Sequence, residues 1–101
     1  MGMQALYLVE AKTRLILLEK EILALADLID HAGHEMKARY EPTMTDFRTR
    51  FKEMGEDLAL LHAIDEHEWG EFCNELDTAM QGLKHDVGTA RAEFEQQMTF
   101  A

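Results

Sequence analysis

The stretch that decides the fold is Leu8-Val9-Glu10-Ala11-Lys12-Thr13-Arg14-Leu15-Ile16-Leu17-Leu18-Glu19-Lys20-Glu21-Ile22-Leu23-Ala24-Leu25-Ala26-Asp27-Leu28-Ile29. Leu8, Leu15, Ile22 and Ile29 recur every seven residues, and Met36 continues the row. Ala11, Leu18, Leu25 and Ala32 fall three residues after each of the first four. This a/d spacing keeps one apolar seam on one side of a helix, as in a coiled coil or helical bundle. Glu10 and Arg14, and later Glu35 and Arg39, stand four apart in the order that supports a helix. The spacing predicts a first helix over residues 4–39, weakened near its end by Gly33.

Beyond it, Pro42 is the chain's single proline. Proline removes a backbone donor and disfavours helical geometry at the residue before it. Thr43 and Thr45 are suitable caps for a new helix. The apolar row nevertheless runs on through Tyr40, Met44, Phe47, Phe51, Met54, Leu58 and Leu61. Pro42 therefore marks either a chain reversal, which is the preferred reading, or a kink in one long helix. Extending the row past Leu61 places Asp65 and Glu68 in the core, where an unpartnered carboxylate is costly. The second helix is thus expected to end near Ile64. A row in new phase then runs Trp69, Phe72, Leu76, Met80, Leu83, Val87, Ala90, Phe94 and Met98. No segment shows strand alternation. The expected fold is all-α: an antiparallel three-helix bundle or coiled coil, one domain over 1–101, with helices about 4–39, 44–64 and 68–97. The alternative is a long kinked helix folded into a helical hairpin.

Composition narrows the function. The 101 residues include 20 acids and 10 Lys or Arg, for a formal charge of −10, and 47% are hydrophobic. That apolar share suits a folded chain. The acidic balance argues against nucleic-acid binding, which needs a basic face. It also argues against a basic membrane-surface helix. A single cysteine, Cys73, makes no internal disulfide, and a reducing, cytoplasmic setting is expected. The opening Met1-Gly2-Met3 lacks a basic leader, and Leu6 breaks the myristoylation pattern. The longest apolar runs are too short to insert stably in a membrane. From Glu53 to Leu83 there are nine acids and no Lys or Arg. Such a stretch suits steering of a basic protein partner.

The run Trp69-Gly70-Glu71-Phe72, then Leu76, Ala79-Met80, Leu83-Lys84, Val87, Ala90-Arg91 and Phe94, resembles the C-terminal helix of a widespread bacterial group of small coiled-coil proteins of uncharacterised role. Tyr40-Glu41 and Phe47 to Leu61 correspond to that group's middle. The resemblance implies a helical hairpin and no catalytic residue. The chain departs from the group at Pro42, where the group runs unbroken helix, and at Met80, where a second Trp is common. Trp69-Gly70 does not supply the Trp-x-Gly turn of small secreted helical hairpins.

Four constellations carry residue types suited to chemistry. His31, His34 and Glu35, with Asp27, share one side of the expected first helix and suit a divalent metal. They fall outside the seam, however, and no Glu-x-x-His motif faces inward. His62 and Glu66, among Asp65, His67 and Glu68, are spaced for a cation but lack an EF-hand loop. Cys73 near His67 has the residue types of a nucleophile and base, yet Cys73 adjoins the core row. Trp69 and Phe72 suit either a partner anchor or the closed end of the bundle.

No cofactor, resident metal or enzyme activity is expected. The overhang of a long first helix predicts self-association, most simply as a homodimer, through Leu8, Leu15 and Leu18. The expected role is a non-catalytic acidic interaction or scaffold module. The alternatives are a metal-binding helical protein and a bundle that binds lipid surfaces reversibly.

Overall fold

The computed structural model describes residues 2–100, with side chains from 4 to 99. The leader reading at Met1-Gly2-Met3 rests on side chains outside that range. Three α-helices follow one another: α1 (Gly2–His31), α2 (His34–Leu60) and α3 (Glu66–Phe100), with a short 3₁₀ turn at Leu61–Ala63. They run up, down and up. The particle measures 53 × 18 × 17 Å, its long axis set by α3, which is about 52 Å long at 1.5 Å per residue. No strand occurs among the described residues. The all-α three-helix bundle is therefore the fold, as the heptads indicate.

The seam of α1 forms one wall of the core. Ala11, Leu15, Leu18, Ile22, Leu25 and Ile29 are buried, Ala11 and Leu25 with no exposed surface. Tyr40, Met44, Phe47, Met54, Leu58 and Leu61 face them from the second helix and the turn after it, and Leu76, Met80, Leu83, Val87, Ala90 and Phe94 face them from α3. Burying each such side chain contributes roughly 1.5–3 kcal/mol before ordering entropy is subtracted. No polar or charged residue is buried among the described residues. The row from Tyr40 to Leu58 lies on one helix and ends at Leu61 in the turn after it.

The first reversal is at Gly33, not at Pro42, and this corrects both the 4–39 and the 44–64 boundaries. Gly33 adopts φ 110°, ψ 172°, a conformation open to glycine and strained for any residue with a Cβ. The Ala32 N–H bonds the Ile29 carbonyl at 3.1 Å, and the Gly33 carbonyl accepts the Lys37 N–H at 3.1 Å. One residue therefore closes α1 and opens α2.

Pro42 sits inside α2 on its exposed side. It deprives the Ala38 carbonyl of its helical donor, but Ala38 is exposed, so water takes the donor's place. A mid-helix proline costs about 3 kcal/mol. Tyr40, Met44 and Phe47, buried on the other side of the same turns, offset that cost.

The second reversal falls where the expected row would have buried Asp65 and Glu68. Ile64 takes an extended conformation, and the Asp65 carbonyl accepts the Glu68 N–H at 2.9 Å as α3 begins. The Leu61 carbonyl accepts both the Ile64 N–H at 3.4 Å and the Trp69 indole N–H at 3.1 Å. Trp69 therefore closes this end of the bundle, with its ring edge-on to Tyr7 of α1 (centroids 6.0 Å, 72°). At the opposite end Tyr40 and Phe94 pack edge to face at 5.7 Å and 80°.

Two glycine substitutions should move stability in opposite directions. Gly33→Ala has room for its Cβ but not the backbone geometry, and is expected to destabilise by about 1–3 kcal/mol. Gly88→Ala has open space inside a regular helix, and is expected to stabilise by about 0.5–1 kcal/mol. Urea unfolding of the two variants beside wild type measures both.

Candidate functional site

The polar groups that tie α1 to α3 lie near the starts of those two helices. Arg14 Nη1 donates to Asp77 Oδ1 at 2.8 Å, and the Tyr7 hydroxyl donates to the same oxygen at 3.2 Å. The hydroxyl also lies 3.4 Å from the Cys73 carbonyl. Arg14, which its spacing paired with Glu10, thus reaches across to α3. Arg39, spaced to pair with Glu35, likewise donates to Gln97 at 3.0 Å. Arg50 joins Asp46 of its own helix at 3.4 Å and Asp86 of α3 at 2.8 Å. These exposed pairs are worth about 0–1 kcal/mol each. They bear on the register between helices more than on stability.

This cluster has the residue types of a reactive site without its geometry. Burial raises the Tyr7 phenol well above its ordinary value, and the Asp77 carboxylate raises it further. Burial likewise raises the half-buried Cys73 thiol; a hydrogen bond with Tyr7 pulls the other way, and Asp77 adds to the rise. The thiolate, which is the nucleophilic form, is therefore disfavoured. His67 lies roughly one and a half helical turns below Cys73 on a different face, and makes no hydrogen bond to it.

The histidine constellations do not converge. His31 ends α1 and His34 begins α2 on the far side of the Gly33 turn, so the single helical side assumed for His31, His34 and Glu35 does not exist. His31 Nδ1 lies 2.7 Å from the Asp27 carbonyl and 3.7 Å from its carboxylate. That bond, then the Asp27 charge, raises the His31 pKa. His62 lies in the 3₁₀ turn and Glu66 begins α3, with extended Ile64 between them. Among the described residues no group of three or more His, Cys, Asp or Glu side chains is placed to hold a metal ion.

The apolar candidates are redistributed. Leu15 and Leu18 are 7% and 4% exposed, and Leu8 is half-buried against the core. The expected overhang is absent, because α1 ends at His31 and α3 spans its length. Trp69 and Phe72 are half-buried and packed on the core. The exposed apolar residues of α1 are instead Leu6, Val9, Ile16, Leu17, Leu23 and Leu28. At 100° per residue all six fall on the side of α1 opposite its seam. The sequence signal was present as additional Leu and Ile between the seam positions, but heptad reading assigns such positions to solvent.

A shallow groove of about 410 Å³ runs between α1 and α3 beside this face. Its lining includes buried Leu18 and Met80, exposed Leu17 and Ala24, and the basic Lys20, Lys84 and Arg91. No helix among the described residues is long and apolar enough to cross a membrane.

The phenols supply a pH test. Both tyrosines of the chain have pKa values raised by burial. A group protonated more tightly when folded stabilises the fold below its ordinary pKa, near 10, and that contribution disappears as pH rises through the folded value. Stability is therefore expected to fall above about pH 10. Phenolate absorbance should appear at higher pH in the native protein than in urea. Tyr7→Phe should remove the more delayed part of that titration and cost about 1 kcal/mol. No known protein family, curated protein or solved structure matches this chain.

Proposed function

We propose that this chain is a non-catalytic acidic interaction module that works in a cytoplasmic setting and associates with a second copy of itself. The observation that supports this reading is the row of six exposed apolar side chains on α1. Six exposed apolar side chains on one side of a single helix, with Thr13, Lys20 and Asp27 among them, suit a binding face. The candidate reactive groups support it too: the Tyr7 phenol and Cys73 thiol both have raised pKa values, and the Asp77 carboxylate is already engaged by Arg14 and Tyr7.

The nine acids between Glu53 and Leu83 gather at the Trp69 end of the bundle. They are suited to attract a basic protein partner, with an association rate that falls as salt rises.

Light scattering on material leaving a sizing column tests self-association. The expected molar mass at tens of micromolar is twice the 11.6 kDa of the chain, declining on dilution. A mass that stays at one chain up to millimolar concentration overturns the self-association part of the reading.

A further inference from the structure

We propose that the outward face of α1 is covered by a second copy of the same face, running antiparallel, with the two-fold axis passing between Ile16 and Leu17. This inference rests on the self-associating module described above and names its surface and geometry.

The face is close to symmetric about its own middle. Leu6 and Leu28 flank the midpoint at nearly equal distances, as do Val9 and Leu23, with Ile16 and Leu17 at the centre. An isologous interface requires this: when residue i meets residue j, j must also meet i. Antiparallel pairing about the midpoint sets Ile16 against Leu17, Val9 against Leu23 and Ala24, and Leu6 against Leu28. The six side chains, between 38% and 62% exposed, leave on the order of 600 Å² of apolar surface in water. Two copies face to face remove about 1,200 Å², the lower bound of a specific interface.

Charge selects the direction. Lys20 lies within the face. Parallel copies in register set it against its own counterpart, whereas the antiparallel register sets it against Thr13. Lys12 and Glu19 lie on one edge of the face, and about a two-fold axis each edge meets itself reversed, bringing Lys12 near Glu19 of the second copy. On the other edge the same operation brings Glu10 near Glu21 of the second copy, a like-charge contact offset by Lys84 and Arg91, which line the groove with Glu21. Asp27 falls toward the ends of the overlap, away from the two-fold axis.

The charge distribution of the whole particle favours the same direction. Tyr7 touches Trp69 and Asp77, so the acidic stretch from Glu53 to Leu83 lies beside the start of α1. Parallel association brings the two acidic ends together; antiparallel association holds them at opposite ends of the dimer. Four acids on or beside the face, Glu10, Glu19, Glu21 and Asp27, oppose an anionic lipid surface as the occupant.

The test uses the full chain with Cys73→Ser as background. Ile16→Cys places a thiol beside the proposed axis, whereas Leu6→Cys places it about 30 Å along the axis from its counterpart. Under mild oxidant the Ile16→Cys variant is expected to cross-link at least about tenfold faster than the Leu6→Cys variant. Leu6→Cys and Leu28→Cys mixed together should also cross-link. In parallel, the double variant Ile16→Lys, Leu23→Lys is expected to keep wild-type helical ellipticity and to weaken the dimer more than about tenfold by sedimentation equilibrium. Self-linking of Leu6→Cys as fast as Ile16→Cys overturns the antiparallel register. A dimer that survives both surface lysines overturns the face while leaving self-association intact. A wild-type chain monomeric at millimolar concentration removes both. A monomer that co-sediments with anionic phospholipid vesicles, and stops doing so in the lysine variant, replaces the second copy with a lipid surface.

Discussion

The buried row of α1 is the constraint on which the rest depends. Ala11, Leu15, Leu18, Ile22, Leu25 and Ile29 give α2 and α3 a common wall, and neither could bury its own row without it. The contribution is hydrophobic and non-directional, so it fixes which faces meet, and with them the rotation of each helix, but not the fine register between helices. That register is helped by the polar ties, Arg14 to Asp77, Arg50 to Asp86 and Arg39 to Gln97. Each is weak, and together they leave few of the scarce basic residues at these faces free.

Helix identity and core membership were legible because both follow from spacing. Every seam position from Ala11 to Ile29 that the heptads assign to the core is buried. The end of the second row was legible too, because the alternative would have submerged Asp65 and Glu68. The first reversal was not. Ile29, Ala32 and Met36 keep the seven-residue period across the Gly33 turn, since both helices present apolar residues to the same end of the core. Periodicity therefore passes unbroken through a chain reversal. The stronger local signal, proline, sits instead on an exposed side of α2, where losing one hydrogen bond costs less than breaking the row from Tyr40 to Leu61. Glycine's permissiveness decided the place of the turn, and sequence alone did not reveal that Gly33 uses it.

The same limit applies to the candidate site. Tyr7, Arg14, Cys73 and Asp77 are separated by as many as 70 residues, and only the third helix returning alongside the first brings them together. The histidine pairs failed for the converse reason: they are near in sequence but split by turns. The outward leucines of α1 were visible as residues, yet their meaning depends on which face the core occupies. A helix apolar on two opposite faces fills only one of them within its own bundle.

Trp69 carries one further consequence. It is the only indole in the chain, and it sits where the start of α1, the 3₁₀ turn and the start of α3 converge, edge-on to Tyr7 and bonded to the Leu61 carbonyl. Its emission is therefore a local gauge of how well that corner is closed, whereas ellipticity counts helical backbone along the whole rod. A bundle that frays at this corner changes colour before it loses helix, so the two spectroscopic signals need not share a midpoint.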